Sequence, residues 1–378
     1  MKKIWNIFLV AILLSSCNSQ QEGSTVVEVQ QLKYAKGFTI ETNAHYKKLS
    51  ILNPWNAYKT YANYYLILDS TLPMPKSNEL DFYFQNPPKS IALHTAAQAA
   101  SLKALRLDDK VNGITDPRFF YEEKYSLLLD SGTLIQSSNQ VQLNKERLLL
   151  LNPDIVITSG WSSITSDYQM LIKMGIPALF MIEWMEKEPL GRAEWIKALG
   201  FLFNKEKEAD SIFKLVEANY NFIKSTTQNN TIKPKVLHGE EYNGVWYVAG
   251  GQSFIAQIYA DAGADYLWAE NKSSGSIPLD IELVIEKGAV ADYWFSTFGQ
   301  NAEDIKHINQ EKYSVLKSVK ESKIFSNINR KRAFGGNDFW ETGNYRPDLI
   351  LKDIVYILQN PSLNEDSLYF YKRLKLKD

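Results

Sequence analysis

Apolar and polar positions change their period several times along the chain, and each change marks a different kind of element. Ile4 to Leu14 is a continuous apolar stretch broken only by Asn6. Between Val26 and Asn86 apolar residues roughly alternate, at Val27 and Val29 and again at Leu32 and Tyr34, and Tyr64-Tyr65-Leu66-Ile67-Leu68 is a β-prone run. Pro54, Pro73, Pro75, Pro87 and Pro88 punctuate this region. Such a pattern predicts a small, strand-rich extension. From Lys89 short apolar runs alternate with helical periods. Strands are predicted at Ser90–Leu93, Val111–Ile114, Asp154–Thr158 and Ala178–Ile182, and helices at Ala96–Leu105 and Tyr168–Met174. Strands separated by helices point to a parallel α/β sheet.

The alternation then lapses. Leu190–Leu199 reads as helix, and Lys205 to about Ser225 carries Ala209, Ile212, Phe213, Val216, Tyr220 and Ile223 at helical spacing. Strand–helix alternation resumes after Pro234, with strands at Val236–Gly239, Val245–Val248 and Asp292–Phe295 and helices at Ser253–Ala262 and Ile281–Lys287. Helices Pro347–Leu358 and Glu365–Leu374 are predicted to close the chain. The fold class expected is α/β: two parallel-sheet lobes joined by one long rigid helix, behind a strand-rich N-terminal extension. The divisions are a leader at 1–17, a tether at 18–25, the extension at 26–88, an N-terminal lobe at 89–186, connecting helices at 187–230 and a C-terminal lobe at 231–378.

The leader sets the address. Lys2 and Lys3 precede the apolar run, which as a helix would span about 16 Å, too short for a bilayer core of roughly 30 Å. It therefore reads as an export signal. Its end, Leu14-Ser15-Ser16-Cys17, resembles the bacterial lipobox, which implies that Cys17 becomes the lipidated first residue of the mature chain. More than one acyl chain gives stable anchoring, and polar Asn18–Thr25 is a flexible tether. The expected location is extracytoplasmic, on the periplasmic side of a bacterial membrane.

Composition narrows the function. Lys and Arg number 42 against 43 Asp and Glu, so no basic footprint for nucleic acid exists. One Cys excludes a disulfide framework, and 45% hydrophobic residues exclude disorder. No Gly-x-Ser-x-Gly elbow, His-Glu-x-x-His pair or phosphate loop occurs. The four His are unpaired in spacing, and only His94 and His238 fall at strand ends. Each reads either as a hydrogen-bonded strand-end residue or as a candidate metal ligand.

In a parallel α/β sheet, ligands sit beyond the carboxyl ends of the strands. Residues falling there include Thr95, Arg118, Trp161, Trp184, Tyr242, Phe298 and Trp340, with Trp246 nearby. Aromatic planes from both lobes suit a large, flat or bulky apolar ligand. Arg118 is a candidate for a propionate or phosphate. Trp195, Trp268 and Trp294 are assigned to the core. Glu183, Glu240, Glu241 and Glu341 collect at the same ends, either to meet a cationic or amide-rich ligand or to cap helices.

Three motifs in order carry a resemblance. Asn144-Lys145-Glu146-Arg147 followed by Pro153-Asp154-Ile155-Val156-Ile157 resembles a signature of the class III substrate-binding proteins of ABC importers, which take cobalamin, haem and ferric siderophores. Asp280-Ile281-Glu282-Leu283-Val284 with Asp292-Tyr293-Trp294-Phe295 is similar to its second-lobe counterpart. Asn337-Asp338-Phe339-Trp340-Glu341, then Pro347-Asp348, is similar to the tail of the cobalamin-binding members. The resemblance covers Lys89 to Leu358. It implies a monomeric binding protein without intrinsic cofactor, a corrinoid, ferric siderophore or haem held between the lobes, and a permease partner. By motif position Glu146 and Glu282 would dock on that permease. The alternative from another class is a surface lipoprotein hydrolase acting on glycan or peptide through a carboxylate pair.

Overall fold

The computed structural model describes residues 27–72, 78–139, 142–296, 311–333, 335–360 and 362–375. The leader, the tether, Cys17 and Phe298 lie outside the described residues. No helix among the described residues is long and apolar enough to cross a membrane.

The first lobe is built on a five-stranded parallel sheet, in the order Ala178–Met181, Ile155–Ser159, Ile91–Leu93, Val111–Ile114, Ile135–Gln136. Its central strands are apolar and buried on both faces, as parallel sheets covered by helices require. Asp154, at the entrance of the second of these strands, accepts the amides of Lys89 (2.7 Å) and Ser90 (3.1 Å), while Ser90 Oγ accepts the Asp154 amide at 2.8 Å. The second lobe repeats the device: Asp292 Oδ2 accepts the Lys235 amide at 2.8 Å. Its sheet runs Asp265–Tyr266, Lys235–His238, Tyr293–Ser296, Ile324–Ser326, Lys372–Arg373, parallel except for the last pair. Beyond His238 a three-stranded antiparallel sheet, Glu240–Tyr242, Val245–Ala249 and Ser276–Asp280, projects over the lobe's end. Gly239 makes that turn at φ 95°, where a Cβ would meet the Tyr247 carbonyl oxygen at 1.9 Å.

Helices Pro189–Glu194, Ile196–Leu202 and the 22-residue Glu206–Thr227 connect the lobes. The single helix expected over Leu190–Leu199 is broken at Trp195. The long helix buries Ala209, Phe213, Val216 and Tyr220 and packs against Pro347–Gln359, so the connection is braced along its length. The terminal helix expected over Glu365–Leu374 does not form. A short turn at Glu365–Ser367 leads into the edge strand Lys372–Arg373. Asp353 explains the difference, because it accepts the amides of Tyr369 (2.9 Å), Phe370 (2.6 Å) and Tyr371 (3.1 Å), which a helix would direct to its own carbonyls.

The extension is a sheet of Glu28–Val29, Phe38–Thr42, Tyr46–Asn53, Lys59–Ile67 and Asp81–Phe84. It lies against the exposed edge of the first lobe's sheet. The buried Tyr64 hydroxyl donates to the Ala178 carbonyl (2.7 Å) and accepts the Phe180 amide (3.2 Å), so a side chain completes an edge that no strand covers. The loop before the second strand is held to the connecting helices by two buried glutamates. Glu194 accepts the amides of Lys33, Tyr34 and Ala35, and Glu186 those of Lys36 and Gly37 together with Trp195 Nε1. Tyr64→Phe leaves both edge groups buried and unpaired. It should lower stability by about 1–3 kcal/mol in chemical denaturation, with the transition remaining a single step.

Candidate functional site

Between the lobes lies a cavity of about 840 Å³. From the first lobe and the connection it takes Ser159, Trp161, the Glu183–Lys187 turn and Arg192; from the second it takes Tyr242, Tyr247, Phe254, Phe295, Phe339 and Trp340. Trp161 and Trp184 lie 4.9 Å apart, and Trp55 from the extension's hairpin packs on Trp184 at 5.7 Å. Trp161 and Trp340 are each 56% exposed and Tyr242 is 67% exposed, an unusual display for rings of this size unless something covers them.

The floor is polar. Glu183 is buried, and its Oε1 accepts Gln98 Nε2 (2.7 Å) from the first lobe and Asn344 Nδ2 (3.2 Å) from the second, while Oε2 has no partner. Burial raises its pKa above the ordinary carboxylate range, against the opposing pull of Arg192. Arg192 lies over the Phe254 ring at 4.0 Å and donates from Nη2 to the Trp184 carbonyl at 3.0 Å, and its Nε is unpaired. Burial pushes its pKa down to about 10, so it stays cationic. His238 donates to or accepts from the Tyr259 hydroxyl at 2.8 Å through Nδ1, and burial lowers it to about 4, leaving a neutral ring at the cavity wall. Lys187 and Gln252 join across the rim at 3.1 Å.

Trp161, Trp184, Tyr242 and Trp340 therefore share one cavity. Thr95 does not line it; its Oγ1 accepts the Ala97 amide at 3.3 Å and it borders an adjoining pocket. Two further expectations need correction. Arg118 lies outside the cavity and is committed to Asp116, with Nε 2.9 and 3.0 Å from the two carboxylate oxygens. Trp246 is fully buried against Trp294 (5.2 Å) and Tyr313 (5.9 Å). Successive strand residues face opposite ways, and it is the neighbour Tyr247 that reaches the cavity. Of the carboxylates, Glu183 and Glu240 line the cavity, whereas Glu241 is held by Lys312 and Tyr313. Both ring nitrogens of His94 are engaged, by Tyr168 (3.1 Å) and Ser137 (2.9 Å). Among the described residues no group of three or more His, Cys, Asp or Glu could hold a metal ion.

The sequence reading missed Arg192, Tyr247, Phe254 and Trp55. One signal was present for the first: Arg192 and Glu194 are charges inside an otherwise apolar run, Leu190-Gly191-Arg192-Ala193-Glu194-Trp195-Ile196. Glu146 and Glu282 are exposed in the first turns of helices Lys145–Leu151 and Ile281–Gly288, each just ahead of a buried strand of its own lobe.

A cleft lined with exposed aromatic rings from two parallel-sheet lobes, joined by a braced helix, is the architecture of a two-lobed binding protein. The chain belongs to the periplasmic binding protein family, whose model matches residues 91–327. An uncharacterized lipoprotein of Methanocaldococcus jannaschii is 24% identical, with 92% of this chain and 86% of that protein covered. In fold, the chain is similar to a possible iron-binding (periplasmic solute-binding) protein of Staphylococcus epidermidis, at TM-score 0.57 and 18% identity, covering 73% of this chain and 100% of the other. It is also similar to the periplasmic vitamin B12 binding protein of Vibrio cholerae, at TM-score 0.52 and 13% identity, covering 72% and 97%. The family is one of substrate-binding proteins, which sets aside the hydrolase alternative.

The lobes also touch away from the cavity. Glu341, buried in the second lobe, accepts the Tyr121 amide of the first, and Gly336 N donates to the Arg118 carbonyl at 2.6 Å. Burial, with Asp338 and Glu122 nearby, raises Glu341 to about 8. The unfolded chain loses this proton near the ordinary value of 4.5, so ionisation destabilises the folded state progressively as pH rises from there to about 8. Glu341→Gln keeps an acceptor for Tyr121 without the charge. Its melting temperature relative to wild type should climb between pH 5 and pH 8 and level off beyond; a constant difference would refute the assignment.

Proposed function

We propose that this protein is the lipid-anchored substrate-binding component of an ABC importer, carrying a bulky iron- or cobalt-containing chelate between its lobes to a membrane permease. The observation that carries this reading is the aromatic cavity of about 840 Å³, near the upper end of the roughly 300–1,000 Å³ range for small-molecule sites. Rings from both lobes meet a flat or bulky apolar body, and Arg192 offers a buried cation to an anionic substituent. With no cluster of metal-binding side chains among the described residues, the metal is carried inside its chelate. The iron and vitamin B12 named for structural neighbours agree with that class. A corrinoid is the first choice, on the Asn337–Glu341 motif, followed by a ferric siderophore and then haem. Lipidation at Cys17 is supported by the lipobox resemblance and by the lipoprotein name of the Methanocaldococcus relative.

Titrating the protein with cobinamide, cobalamin, haemin and ferric siderophores, following its tryptophan fluorescence, tests the ligand. Saturable quenching by one class is expected, weakened about tenfold by Trp161→Ala or Trp340→Ala. Silence across the panel would remove the chelate assignment. Docking is tested separately. Reversing the charge at both Glu146 and Glu282 should abolish transport and leave ligand affinity intact, and wild-type transport by that double variant would overturn their role.

A further inference from the structure

Behind Trp161 a second pocket, of about 340 Å³, adjoins the cleft and shares Ser159 and Trp161 with it. We propose that this pocket is a second subsite, built in part by the N-terminal sheet, that takes a neutral amide arm of the ligand whose body rests on Trp161 and Trp184. The inference rests on the reading of the cleft as a ligand site and adds the chemistry of one substituent.

The walls are hydroxyls: Tyr61, Thr95, Thr158, Ser159 and Tyr168 line it, with His94. Tyr61 belongs to the extension strand Lys59–Ile67 and is 8% exposed, its ring edge-on to Phe180 at 5.5 Å. Its hydroxyl lies near the Trp161 backbone yet makes no hydrogen bond of normal geometry. A buried hydroxyl left in that state is unfavourable, and an incoming carbonyl oxygen relieves it. Burial pushes the phenol up to about 12, so it remains a donor at neutral pH.

Unpaired charge is what the pocket lacks. His94 is neutral, with burial lowering it to about 4 and both nitrogens engaged. Asp167, the one carboxylate in the lining, is paired with Lys145 at 2.9 Å. A carboxylate arm entering here would be desolvated without a cationic partner in the lining. A primary amide carries an acceptor and two donors, and hydroxyls serve both roles. The main cavity differs, since there Arg192 is available to an anion. The two compartments therefore sort substituents of one ligand by charge.

The test reads the pocket directly, using small probes. Full-length protein labelled with 3-fluorotyrosine is titrated with propionamide and, separately, with sodium propionate, and followed by ¹⁹F NMR. The resonance missing from a Tyr61→Phe sample assigns Tyr61. Propionamide should shift that resonance saturably, and propionate should leave it in place. No shift with propionamide, or an equal shift with propionate, overturns the proposal. Failure of the chelate panel to quench tryptophan fluorescence would instead overturn the ligand class, because the amide titration does not depend on which chelate is carried.

Discussion

Carboxylates that accept backbone amides, three of them buried, hold this molecule in register. Asp154 and Asp292 fix strand entrances in the two lobes, Glu186 and Glu194 seat the loop that precedes the extension's second strand, and Asp353 holds the C-terminal segment extended. An isolated ionised group in the interior is strongly disfavoured, and several charge-assisted bonds to one carboxylate offset that cost. Because each amide in these sets belongs to a distant stretch of chain, the carboxylates specify which segments meet. The position of the cleft depends on them, since Glu186 and Glu194 flank Arg192 on the connection between the lobes.

The extension is consequently part of the binding architecture. It seals the edge of the first lobe's sheet through Tyr64, packs Trp55 on Trp184 and contributes Tyr61 to the smaller pocket. The aromatic surface that faces the cleft thus has a ring from the extension packed against it. A ring so supported loses less freedom when a ligand covers it, which favours binding by pre-organisation.

Contacts between the lobes bound the possible motion. Glu341 with Tyr121, Gly336 with Arg118, and Asn344 with Glu183 span the two lobes on one side, and Lys187 with Gln252 bridges the rim. Together with the long helix packed on Pro347–Gln359, they favour small adjustments around a largely formed cavity over wide opening.

Local periodicity was enough to reveal two α/β lobes, a long connecting helix, a strand-rich start and the gathering of Trp161, Trp184, Tyr242 and Trp340 at strand ends, because those features follow from the spacing of neighbouring residues. Tertiary structure decided the rest. Whether Trp246 or Tyr247 faces the cleft depends on which side of a short strand meets its lobe, and the strand alone is apolar enough for either. Segment Glu365–Leu374 carries a helix-compatible sequence, yet Asp353 removes the amides that a helix would need. Arg192 becomes a cavity residue only when a second lobe closes over it. Glu194 binds the Lys33 amide across 161 positions, a pairing set by the packing of whole elements and invisible to any pattern shorter than the distance it spans.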